Sequence, residues 1–167
     1  MSGVALARRV EVIGLGGLST SNDVNDDLVC LGLGSCVAIC IYETVNRVAG
    51  MAHLVLPDSG EGRDTGRSAK YVDTGIPLLV EEMETLGALR SRMVVRIAGG
   101  AHMITVVEVN GDSVGDRNVK AVRQSVAALG LAISAEEVGG SRGRTIRICV
   151  DSGRVLVSSV GTESREL

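Results

Sequence analysis

The sequence contains no tryptophan and no phenylalanine, and only two tyrosines among 167 residues. Proteins that grip single-stranded nucleic acid stack its bases on aromatic platforms. Readers of methylated ammonium groups enclose them in aromatic cages. This chain has the side chains for neither. It also lacks a basic excess: 17 lysines and arginines stand against 20 acidic residues, a net charge of -3. That balance removes the electrostatic basis for binding a phosphate backbone, so no nucleic-acid partner is expected. No run of about 18 apolar residues is present, and none of the chain is expected to insert into a membrane. Arg8 and Arg9 near the start are not followed by the apolar core of a secretion signal, so the expected location is cytoplasmic. Cys30 and Cys36 match no CxxC spacing, and with Cys40 and Cys149 they read as thiols of a reducing compartment.

What the chain does have is aliphatic mass: 45% of its residues are hydrophobic, chiefly Val, Leu, Ile, Ala and Met. A chain of this size buries roughly 70% of its unfolded surface, enough for a core without disulfides. Its length favours one domain spanning 1–167. Short apolar, β-branched stretches at 29–33, 36–42 and 48–56 read as strands, the last stopped by Pro57. Further strands are expected at 93–98, 104–109, 131–138, 145–150 and 154–160, the last two joined by the turn Asp151-Ser152-Gly153. Ile76, Leu79, Val80, Met83 and Leu86 follow helical spacing, with Asp73 as the expected cap and Gly87 as the stop. A second helix is expected after Asp116, with Val119, Val122, Val126 and Leu129 facing inward and Gly130 ending it. The sequence helix, Leu-Gly, strand, Gly-Gly occurs twice, ending at Gly99-Gly100 and at Gly139-Gly140. Together these elements predict an α+β domain built on a mixed sheet. Residues 19–27 and 60–68 (GEGRDTGRS) read as loops, the second glycine-rich, highly charged and a candidate wall of a cleft.

The candidate chemistry lies between Leu31 and His53. A glycine bend, Leu31-Gly32-Leu33-Gly34-Ser35, delivers Cys36 to the start of a strand. If 36–42 and 47–56 form a hairpin around a 43–46 loop, Cys36 stands opposite His53, at a typical cross-strand separation of about 5 Å. A thiol needs such a neighbour. Little thiolate is present at neutral pH, and an imidazole can take the proton and return it to a leaving amine. Backbone N–H groups at Ser35 and Cys36 are candidate oxyanion donors, and a third group is required to orient the imidazole. Other readings stand beside this one. Buried cysteine and histidine are commonly plain core residues, and a one-residue slip would separate the pair. Cys30, Cys36, His53 and Cys149 together fit no standard zinc spacing, and no metal site is expected. Gly32-x-Gly34 opens a strand and is no dinucleotide motif. His102 is a second imidazole, and Ser141-Arg142-Gly143-Arg144 a basic turn.

At these residues the sequence resembles the CheD family of chemoreceptor glutamine deamidases. The matching text is LGLGSCVAICIYE from Leu31, AGMAHLVLPDSG from Ala49, KYVDTGIPLLVEEMETLGA from Lys70, RIAGGAHM from Arg96, VGDRNVKAVRQ from Val114 and VGGSRGRTI from Val138. The resemblance implies hydrolysis of receptor glutamine side chains to glutamate without a cofactor, with Cys36 as nucleophile and His53 as base. The third family position, six residues before the nucleophile, is a threonine, and here it is Cys30. A thiol is a weaker hydrogen-bond partner than a hydroxyl. The implied fold resembles cysteine hydrolases related to cytotoxic necrotising factor: mixed β-sheets packed as a sandwich with flanking helices. The implied partners are the methyl-accepting chemotaxis receptors and a CheC-type phosphatase of the response regulator. The alternative role is a regulatory module whose task is to stimulate that phosphatase.

Overall fold

The structure, a computed structural model, describes residues 7–61, 68–103, 108 and 110–167. The chain runs β1 (Arg9–Val12), β2 (Leu18–Ser21), β3 (Asp26–Leu33), β4 (Val37–Glu43), β5 (Val48–Leu54), α1 (Val72–Thr85), β6 (Met93–Gly99), α2 (Val114–Ala128), β7 (Ile133–Val138), β8 (Arg144–Cys149), β9 (Val155–Ser159) and β10 (Arg165–Glu166). Short 3-10 turns occur at Ser59–Glu61 and Arg90–Arg92. The first sheet has the order β1-β3-β8-β9-β10 and the second the order β2-β5-β4-β6-β7. Each is mixed: β1 lies parallel to β3 and β6 parallel to β7, while the other neighbours are antiparallel.

The middle strand β4 explains the layering. All seven of its residues are buried, and its side chains alternate between two interiors. Val37, Ile39 and Ile41 pack with Ile76, Leu79 and Met83 of α1 and Val119, Val122 and Val126 of α2. Ala38, Cys40 and Tyr42 pack instead with Leu28, Ile146, Ile148 and Val157 of the first sheet. The molecule is therefore a two-sheet sandwich with both helices on the far side of the second sheet. Each wholly buried aliphatic side chain contributes about 1.5–3 kcal/mol of transfer free energy.

Both helices occur where the apolar periodicity places them, but their caps differ from expectation. Tyr71 precedes α1 without a side-chain cap, and Asp73 instead accepts hydrogen bonds from the Ser59 amide at 3.0 Å and hydroxyl at 2.7 Å. Ser113, not Asp116, caps α2, and Asp116 three positions on completes a reciprocal capping box. The repeated helix-strand-Gly-Gly pattern becomes two adjacent units: β6 and β7 pair side by side with Gly99 beside Val138. The expected loop at 19–27 contains all of β2 but Leu18 and the first two residues of β3, and β1 and β10 were not expected. The strand expected at 104–109 and the loop at 60–68 fall largely outside the described residues.

Candidate active site

The β4–β5 hairpin forms, but its register is two residues away from the expected one. Ala38, not Cys36, is the partner of His53, and Glu43 pairs with Val48 around a turn at 44–47. The reason lies at Glu43, which the local pattern assigns to the turn. Its carboxylate is wholly buried, accepts the Asn46 amide at 2.6 Å and sits 3.7 Å from the Arg92 guanidinium. Those partners let the strand run one residue further, and Arg47 takes the left-handed conformation that closes the turn. A shift of two preserves the facing. Cys36 continues the inward series Ala38, Cys40 and Tyr42, and His53 continues Ala49 and Met51. The two are thus diagonal neighbours on one face, positions typically about 7–8 Å apart.

His53 is 4% exposed and is oriented by main chain. Ile13 donates its amide to Val29 of the first sheet at 2.8 Å. A tight turn follows, closed by Gly17 N–H on the Gly14 carbonyl at 2.9 Å. The chain then joins the second sheet, where His53 N–H donates to Gly17 and Gly16 N–H to His53, both at 2.9 Å. The turn thereby brings the Ile13 carbonyl to 3.2 Å from His53 Nδ1. A carbonyl only accepts, so Nδ1 carries the proton and Nε2 carries the lone pair. Nε2 is buried with no hydrogen-bond partner among the described residues. Burial pulls the imidazole below its usual 6.5, against the smaller opposing effect of the Ile13 carbonyl. The resting imidazole is neutral at pH 7.

Cys36 is half-buried at the end of the bend. Burial pushes its thiol above the usual 9.0, opposed by a hydrogen bond from its own backbone N–H. The bend is held by its carbonyls: Gly34 O accepts from Ala101 N at 2.8 Å, Ser35 O from Asn118 Nδ2 at 3.0 Å, and Cys36 O from Gly100 N at 2.8 Å. Gly99 must be glycine for this contact, because at φ +118° a Cβ there would overlap the Cys36 carbonyl. Behind it, Arg144 donates to the carbonyls of Gly99 at 3.1 Å and Gly139 at 2.6 Å. Arg144 is thus a buried strut and not part of a solvated basic turn.

The other sequence candidates are placed as follows. Cys30 is wholly buried on β3 in the inter-sheet core, its thiol pushed up to about 12 by burial and by the neighbouring Cys36 charge. Among the described residues no hydrogen bond joins Cys30 to the imidazole, and the orienting contact comes from Ile13. Cys149 lies beside Asp27 on the outer face of the first sheet. The four residues weighed as zinc ligands are therefore not gathered. His102 is exposed and its Nε2 lies 2.8 Å from Asp116 Oδ1. Two site residues were missed. Ile13 acts through its main chain, and its only sequence signal is the glycine-rich turn that follows. Asn118 is a polar residue on the buried side of α2, beside the apolar positions that were read.

Known proteins similar to this chain were found by structure and by sequence. A solved structure of the Bacillus licheniformis hypothetical protein YfiH aligns with 81% of this chain and 60% of its own, at 12% identity and TM-score 0.47. A probable chemoreceptor glutamine deamidase CheD of Symbiobacterium thermophilum is 44% identical over 164 residues, covering 96% of this chain and 98% of that protein. The chemoreceptor glutamine deamidase CheD of Thermotoga maritima is 41% identical over 151 residues, covering 90% and 92%. Residues 55–159 match the family described as CheD chemotactic sensory transduction, a span that begins just after His53. With relatives this similar across almost its full length, and more than half of it matching the family itself, the chain belongs to the CheD family.

Proposed function

We propose that the protein is a chemoreceptor glutamine deamidase, acting as one domain that spans 1–167. Cys36 attacks the carboxamide carbon of a receptor glutamine while His53 Nε2 takes the thiol proton. Nε2 then gives that proton to the departing ammonia, leaving a thioester on Cys36. Water, deprotonated by the same nitrogen, attacks the thioester, and glutamate and the free thiol are released. The N–H groups of Ser35 and Cys36 are assigned to the oxyanion that forms at each attack. Glutamine and water are the only reactants, so the cycle needs no cofactor.

The observation that carries this reading is the unpartnered Nε2 of a neutral, buried imidazole on the same sheet face as Cys36. Burial of both groups favours their neutral forms. The thiol must therefore be deprotonated as it attacks, which is the task of a general base. A free thiol nucleophile suits the reducing cytoplasm, and no described helix is long and apolar enough to cross a membrane. The family resemblance adds a CheC-type phosphatase as a second partner. Retained stimulation of such a phosphatase by Cys36→Ala would separate that role from catalysis. The direct test is mass spectrometry of receptor peptides incubated with wild type or Cys36→Ala. Only the wild type is expected to convert glutamine to glutamate, and equal conversion by both would overturn the mechanism.

A further inference from the structure

Asn118, at the start of α2, is 0% exposed and joins the two halves of the site. Its Nδ2 donates to Ser35 O at 3.0 Å and to Val55 O at 2.9 Å. Ser35 immediately precedes the nucleophile, and Val55 follows the base by two residues. The amide orientation is settled chemically, because two carbonyl acceptors require the NH2 group and would repel the oxygen. Asn118 Oδ1 is left buried with no hydrogen-bond partner among the described residues. A residue that only filled this part of the core would do so better without an unpaired acceptor.

The bond to Ser35 has a geometric consequence. A trans peptide is planar, so each N–H points opposite to the carbonyl before it. With Ser35 O turned to Asn118, Cys36 N–H faces away from α2, and this is the amide that opposes the rise of the Cys36 thiol. With Gly34 O held by Ala101, the Ser35 N–H is likewise fixed. An oxyanion formed on a carbon bound to that sulfur would sit within reach of the same amide.

We propose that Asn118 is a positioning residue for deamidation: it locks the Ser35–Cys36 peptide with its N–H turned away from α2 and ties that peptide to the chain just past the strand carrying His53. The proposal rests on the assignment of Cys36 and His53 above. Asn118→Ala and the near-isosteric Asn118→Leu both remove the two donors, and the second keeps the volume. Each is expected to lower kcat on receptor about tenfold to a hundredfold, part of the loss seen when an oxyanion donor is deleted, with KM near wild type. The pH midpoint of Cys36 alkylation by iodoacetamide should move up, because the amide that favours the thiolate is no longer held. A merely structural role predicts a lower melting temperature with kcat and the alkylation midpoint unchanged. That result in either folded variant overturns the proposal. Cys36→Ala, assayed in parallel, separates the two claims: activity retained there would sink the nucleophile assignment, whatever Asn118 does.

Discussion

The two faces of β4 and β5 are built from alternate residues of the same strands, yet they differ in kind. Toward the helices stand Val37, Ile39, Ile41, Val48, Ala52 and Leu54, aliphatic and wholly buried. Toward the first sheet stand Cys36, Ala38, Cys40, Tyr42, Ala49, Met51 and His53, a set that mixes small residues and larger ones with thiols, a phenol and an imidazole. The first face obtains stability from volume. At the second, the turn at 13–17 crosses between the sheets and sets a carbonyl on the imidazole. Burial on this second face pushes the thiols up and the imidazole down. The resting pair is thus uncharged, so the proposed mechanism requires proton transfer during attack and not a standing ion pair.

Mutations on the two faces should separate activity from stability. Cys36→Ala should reduce receptor deamidation at least about a thousandfold with little change in melting temperature, as Cys36 is only half-buried. His53→Gln removes the proposed base, and kcat should fall about a hundredfold to ten-thousandfold. If His53→Gln retained most of its activity, the assignment of His53 as general base would be wrong. On the helix-facing side, Ile39→Ala should cost about 2–5 kcal/mol in chemical denaturation while the folded fraction keeps its kcat. A selective loss of kcat there would mean that the faces are more tightly coupled than their separate packing implies.

Acidity distinguishes the faces more gently. His53 is held below 6.5 when folded, so between that lower value and 6.5 the unfolded chain binds more protons. Stability contributed by the neutral imidazole is therefore lost as pH falls through this window, and Nε2 loses its lone pair in the same range. Accordingly, kcat/KM should be flat near neutrality and fall only below pH 6.5. Alkylation of Cys36 should still be rising at pH 9.0, since burial holds its thiol above that value. A bell with an acidic thiol midpoint would instead reveal a preformed thiolate–imidazolium pair.

Cys36 and His53 stand out in the sequence as candidates because thiol and imidazole chemistry is local to the side chain, and the structure puts them on one sheet face. Their register was not legible, because Glu43 stays in the strand through Arg92, a residue from a distant turn. Strand β1 shows why some elements left no signal: its four residues are all exposed, and it exists through pairing with β3. Ile13 contributes a main-chain carbonyl, which no side-chain pattern can announce. Asn118 carries a signal only once the helix is seen to face the bend, since the polar residue interrupts no apolar spacing.

The smallest effect is expected at Cys30, and it tests which group orients the base. The family pattern has threonine at this position, and a side chain there would be the natural third member of the site. In this chain the Ile13 carbonyl already fills Nδ1 of His53, and an imidazole nitrogen carries only one proton to donate. Cys30 is left as a wholly buried small hydrophobe in contact with the inter-sheet core. Cys30→Ala should therefore cost about 1 kcal/mol of stability for the lost volume and leave kcat within about twofold, well inside the loss that follows removal of a positioned acid or base. Steady-state deamidation on the folded variant decides the matter. A tenfold fall in kcat at unchanged melting temperature would mean that the thiol acts on the Cys36–His53 pair despite the carbonyl, and the distinction between the orienting main chain and the packing thiol would fail.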